Sequence, residues 1–246
     1  MIEANNRENT GTDIPEHEQE KHDDSAEATE VSTDPLARVH EVIDFMGNKL
    51  GAELEEDEYP KILLRANPLG DSSYHETLNL ININKKNIND GVHMGEEIGH
   101  FWRTQLRPKE DKREHNTNEF FGFLGRRILQ NSELGEQFQW NEEEEPTREE
   151  VLEFIARRKK WSLEASKKLK ENQGDDELTK FYRRKLFRHE SERKSMLAHF
   201  YGYKFARQVN INRIKNWGKL FSMPNAEVRK RFFQENPDYS GLEEAA

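Results

Sequence analysis

Only two short stretches of the chain read as β-strand, and that limits the fold more than any other feature. Residues 61–65 (KILLR) form a brief apolar run closed by the turn-forming Asn67-Pro68-Leu69-Gly70. Residues 76–84 (ETLNLININ) place Leu78 and Leu80 on one face and Ile81 and Ile83 on the other. Two such strands make a small sheet at most, so helices must supply most of the core. The expected class is α+β: a small antiparallel sheet with its helices, followed by a mostly α-helical C-terminal region.

The helical segments can be placed by period and caps. Asp34-Pro35 opens a helix carrying Leu36, Val39, Val42, Ile43, Met46 and Leu50 up to Gly51. A second helix is expected from about residue 90 to 106. A third begins near Asn116 and carries Glu119, Phe120, Phe123, Leu124 and Ile128. Thr147-Arg148-Glu149-Glu150 has the form of a capping box and predicts a long charged helix from that point. A break at 172–176 then starts another, with a stripe of Leu178, Tyr182, Leu186, His189, Met196, Phe200 and Tyr203. Two short helices are expected around 213–222 and 225–234, separated by Pro224. EFFGFLGRR at 119–127 and HFYGYKFAR at 199–207 echo one another, each setting aromatics around a glycine at helical spacing. That pattern reads as close helix packing.

Charge divides the chain into parts. The composition is 33% hydrophobic and 35% charged, enough apolar material for a modest core but not for order throughout. Residues 1–35 carry eleven acidic and two basic side chains with almost nothing large and apolar, so they read as a disordered acidic tail. Residues 36–140 are expected to form the α+β core. Residues 147–236 form a basic helical region and 237–246 an acidic end; over 151–233 there are 22 bases against nine acids. Nucleic-acid contact through the basic part is the weaker reading. A solvated helical surface, partly neutralised by the acidic part, is the stronger one. No apolar run approaches the roughly 20 residues a membrane helix needs, and a cytoplasmic protein is expected. With no cysteine, any metal must be held by His, Asp or Glu.

The chemistry concentrates in Gly95-Glu96-Glu97-Ile98-Gly99-His100. On a helix, positions 96 and 100 share a face and can point two donors at one ion. Position 97 lies one residue round, where a carboxylate reaches a water rather than the ion. A carboxylate oxygen binds zinc at about 2.0–2.2 Å, so Glu96 is a competent ligand.

GEEIGH resembles the HEIGH or HELGH of zincin metallopeptidases, with Glu96 where that pattern has its first histidine. Nineteen residues on, Glu119 in NEFFGFLG resembles the downstream helical glutamate that is the third zinc ligand of gluzincins. The resemblance covers roughly residues 36–131 and is closest to the small, single-core gluzincins. It implies zinc as cofactor, Glu96, His100 and Glu119 as ligands, Glu97 as general base, and a peptide or protein substrate lying along strand 76–84. His199, in AHFYGYKFA, is the candidate replacement ligand. His93, two turns before His100, joins only if the helix starts after it, while His189 reads as structural and His115 as solvated.

Three functions follow: a zinc metallopeptidase of atypical motif, an inactive descendant serving as a binding or regulatory module, and a di-iron carboxylate bundle. The last needs two Glu-x-x-His pairs, and no convincing second one is present.

Overall fold

The computed structural model describes residues 34–66, 72–141 and 146–233. The acidic tail up to residue 33, the turn at 67–70, most of the acidic stretch at 141–146 and the acidic C-terminal end lie outside the described residues.

Helix α1, Pro35–Leu50, starts where Asp34 caps the Leu36 amide and stops at Gly51, whose φ of 66° is the left-handed conformation glycine adopts without strain. Strands β1, Lys61–Arg65, β2, Ser73–His75, and β3, Leu80–Asn84, form one sheet in the order β1-β3-β2. Helices α2, Gly91–Leu106, and α3, His115–Gln130, follow. The long α4, Arg148–Glu171, begins at the expected capping box, with Thr147 and Glu150 each bonding the other's backbone amide. Helix α5 spans Asp176–Gln208. The short α6, Trp217–Phe221, and α7, Asn225–Val228, complete the chain's described elements, with a π-helical turn at Arg229–Phe233.

The α+β class and the helical C-terminal region stand as the sequence implies. The sheet differs in detail because it is mixed: β3 runs antiparallel to β2 but parallel to β1. The expected strand 76–84 is shorter at its start. Residues Glu76–Leu78 make a 3-10 turn, Asn79 adopts φ 43°, and the chain doubles back into β3. Leu78 is consequently exposed, while Ile81 and Ile83 are fully buried. Because β3 lies between two neighbours, a peptide cannot pair along it, and the free edge near the motif belongs to β2.

Residues from α1 to α7 share one apolar core that includes Val39, Ile43, Ile98, Phe120, Ile155, Phe200, Phe221 and Val228. Arg103 crosses it, fully buried. Its guanidinium donates to the carbonyls of Phe221 and Met223 (2.8 Å) and to Asn225 Oδ1 (2.6 Å), and lies over the Phe121 ring. Burial lowers its pKa to about 10, so it stays cationic and ties α2 to the last two helices.

The α2–α3 contact is unusually close because both faces are glycine. A Cβ on Gly95 would lie 2.6 Å from Arg126 Cα, one on Gly99 2.7 Å from the Phe121 carbonyl oxygen, and one on Gly125 2.5 Å from the Gly95 carbonyl oxygen. These neighbours are backbone atoms and cannot turn aside. Overpacking costs about 1–3 kcal/mol, and valine adds a β-branched penalty in a helix. Gly125→Val is therefore expected to lower the thermal midpoint by about 4–8 °C, at about 2–4 °C per kcal/mol for a chain of this size; differential scanning calorimetry reads the shift.

Candidate metal centre

Helix α2 carries Glu96, Glu97 and His100 on adjoining faces, as their spacing requires. Helix α3 brings Glu119 up against them, and α5 brings His199. Glycine sets each approach. At Gly122 a Cβ would fall 2.5 Å from the His100 ring, so its absence lets the imidazole lie flat on α3. At Gly202 a Cβ would fall 2.6 Å from Glu119 Cβ, so α5 can lie directly on α3 beside that glutamate. The echo between the two aromatic-glycine segments thus corresponds to a real packing contact.

Three donors, Glu96, Glu119 and His199, converge, and His100 lies against the two glutamates. Ligand atoms of Glu96, Glu119 and His199 all lie within 4.8 Å of one another. His100 Nε2 lies 3.9 Å from Glu96 Oε1 and 3.9 Å from Glu119 Oε2, and His199 Nδ1 lies 3.6 Å from Glu119 Oε2. Ligands at about 2.0–2.1 Å from a tetrahedral zinc stand about 3.3 Å apart. The observed contacts of 3.6 and 3.9 Å are longer than that, and the Glu96, Glu119 and His199 atoms stand up to 4.8 Å apart, so a bound ion would have to draw the side chains together. Imidazoles and carboxylates are a donor chemistry zinc accepts, and Glu96, Glu119 and His199 form a group that could hold the ion, with His100 beside it.

Outer contacts hold these groups. His100 Nδ1 lies 3.0 Å from Asn118 Nδ2, and an asparagine amide can present its oxygen there instead, leaving Nε2 free to ligate. The His199 ring packs edge-on against Phe123 at 4.8 Å. Glu97 is buried, and the Tyr74 backbone of β2 favours its charged form. The other histidines singled out from the sequence lie elsewhere: His93 is not one of the cluster's donors among the described residues, His115 is exposed on the first turn of α3, and His189 bonds Arg158 at 3.3 Å.

Electrostatics mark the cluster as a place short of positive charge. Burial, reinforced by the neighbouring Glu96 and Glu119 carboxylates against the pull of His100, lifts the Glu97 pKa to about 8. Burial opposes a charged His100, but the carboxylates of Glu119, Glu96 and Glu97 overcome it and lift its pKa to about 9. Glu119 is disfavoured as an anion by burial, yet His100 and His199 together hold its pKa below the ordinary carboxylate value.

Asn118, Gly122 and Gly202 are the site residues the motif alone does not reveal. The glycines had a signal in the echo; Asn118, one residue before Glu119, had none. No family model, curated protein or solved structure matches the chain.

Glu97 and His100 both have folded-state pKa values raised above their unfolded ones. Their stabilisation is present at low pH and lost as pH rises through about 8 and about 9. Chelator-treated protein is therefore expected to melt at progressively lower temperature from pH 6 to pH 9, and Glu97→Gln, which mimics the neutral acid, to flatten that slope. A pH series of thermal melts on both proteins measures it.

Proposed function

We propose that the protein is a metal-dependent hydrolase of the zinc-peptidase type, acting on a peptide or protein. The convergence of Glu96, Glu119 and His199, with His100 against both glutamates and Glu97 buried one position along α2, carries this reading. Zinc bound there would supply a Lewis acid and make a water molecule acidic near neutral pH. A cation beside it would lower the Glu97 pKa from about 8, and the ionised carboxylate would then accept the water proton and deliver it to the departing amine. His100 and Glu119 would hold the ion from two helices locked together by glycine. Glu96 would take the ligand position a histidine holds in the resembling motif while adding negative charge, which would make the bound water less acidic and proton removal by Glu97 more important. The free edge of β2, next to Glu97, is where an extended peptide would lie.

One observation favours a second reading, the catalytically inactive scaffold. If His100 joins Glu96, Glu119 and His199, four protein donors would complete a tetrahedral shell, as in structural zinc sites, whereas catalytic sites keep a position open. His199 decides between them. Its side chain is 40% exposed, so it can swing into solvent, and it is the donor that α5 contributes alone.

Metal analysis of purified protein is the test. Wild type is expected to hold one zinc per chain, and His100→Ala and Glu119→Ala to lose it. Glu97→Gln is expected to keep the zinc and lose about 10²–10⁴-fold in hydrolysis of a peptide library. His199→Ala should retain zinc and raise turnover if the site is catalytic, and shed zinc if it is structural. A zinc-free wild type under chelator-free conditions contradicts both readings.

A further inference from the structure

The second half of α4 and the first half of α5 do nothing for the metal cluster. From residue 156 to 195 the only buried side chain is Ala165, so this helical hairpin packs on itself and stands off the core. Its composition is distinct: fourteen Lys and Arg against seven Asp and Glu, in a chain of net charge −10. Its apolar residues are also unusually open, with Phe187 73%, Leu163 67%, Phe181 48% and Trp161 38% exposed.

Of these residues Trp161 lines a groove, whose single acidic wall residue is Glu164. The groove lies between the two helices, has a volume of about 420 Å³ and is walled by Trp161, Tyr182 and His189, with Lys168 and Lys185 beside them. The walls are held in place: Arg158 lies over the Trp161 ring and bonds both His189 and Glu192 (2.6 Å), and Trp161 meets His189 with centroids 5.4 Å apart. Lys185 sits over Phe181, and Lys168 bonds Glu171 at 2.9 Å. On the outer face of α5, Phe187 follows Arg183 and Arg184 by one turn, so a third aromatic is flanked by cations on its own helix face.

We propose that the α4–α5 hairpin binds single-stranded nucleic acid, with bases stacking on Trp161 in the groove and on Phe187 outside it, and the backbone phosphates following the lysines and arginines between them. Charge complementarity argues for a polyanion. The exposed aromatic faces select one with flat π-surfaces, since stacking on aromatic side chains joined to a basic track is how unpaired strands are held. A duplex hides its base faces and would leave the rings unused. The chain's own acidic segment, residues 1–33, offers the charge but contains no Phe, Tyr or Trp to fill the groove.

Fluorescence anisotropy of labelled 20-nucleotide dT and rU strands with the full-length protein tests this. Binding is expected with both sugars, falling steeply between 50 and 200 mM salt. Trp161→Ala and Phe187→Ala should each weaken it about 5–150-fold, the range for losing one base–aromatic stack. Charge reversal of the exposed Lys167 and Lys170 should weaken it and flatten the salt dependence. Circular dichroism and melts confirm that each variant is folded. No binding, binding equal for a duplex, binding unmoved by the aromatic variants, or equal competition by poly-glutamate would each overturn the assignment, the last pointing to an acidic protein partner.

Discussion

The contact between α2 and α3 governs the rest of the molecule. Gly95, Gly99, Gly122 and Gly125 leave no Cβ at four positions of the seam, so the two backbones approach there to distances a side chain would forbid. This closeness brings Glu119 to within a few ångströms of His100, although the two leave different helices nineteen residues apart. Gly202 repeats the device for α5 and adds His199. Glycine lowers helix propensity by about 1 kcal/mol at each such position. Here the offset comes from the core packed on both sides of the seam, with Ile98, Phe101, Phe121 and Leu124 all fully buried.

Packing alone would leave the cluster electrostatically uncomfortable. Three carboxylates and a buried imidazole share a small volume, and His100 answers by holding its proton well above the ordinary range. A proton there is one way to supply the missing positive charge; a divalent cation is another, and it also lets the carboxylates bond directly rather than merely face one another. Glu96 fits this account: where the resembling motif has a neutral histidine, this chain has a further anion, and the site's need for a cation grows accordingly.

Much of this was legible in the sequence, and what was not has physical reasons. The caps at Asp34 and Thr147 and the left-handed glycine at 51 mark helix ends by local chemistry, so α1 and α4 appear where expected. Strand β2 is three residues long, too short to show a period, and its pairing with β3 depends on the left-handed Asn79. Without β2, the parallel relation of β1 and β3 is invisible, because it arises only when an edge strand turns the chain around between them. At the site, Glu96, Glu97 and His100 are adjacent by helical spacing alone. Glu119 needed a family resemblance to be singled out and His199 an aromatic-rich context; their approach to His100 is a tertiary fact written in glycines rather than in donors.

The central claim is that two histidines and two glutamates from three helices share one ion. X-ray absorption spectroscopy of the zinc-loaded protein tests it most directly, since imidazole rings give outer-shell scattering that carboxylates do not. The account predicts a shell of four nitrogen and oxygen donors at about 2.0–2.1 Å with the signature of two imidazoles, reduced to one in His199→Ala. A shell with no imidazole contribution, or one that His100→Ala and His199→Ala both leave unchanged, would contradict it.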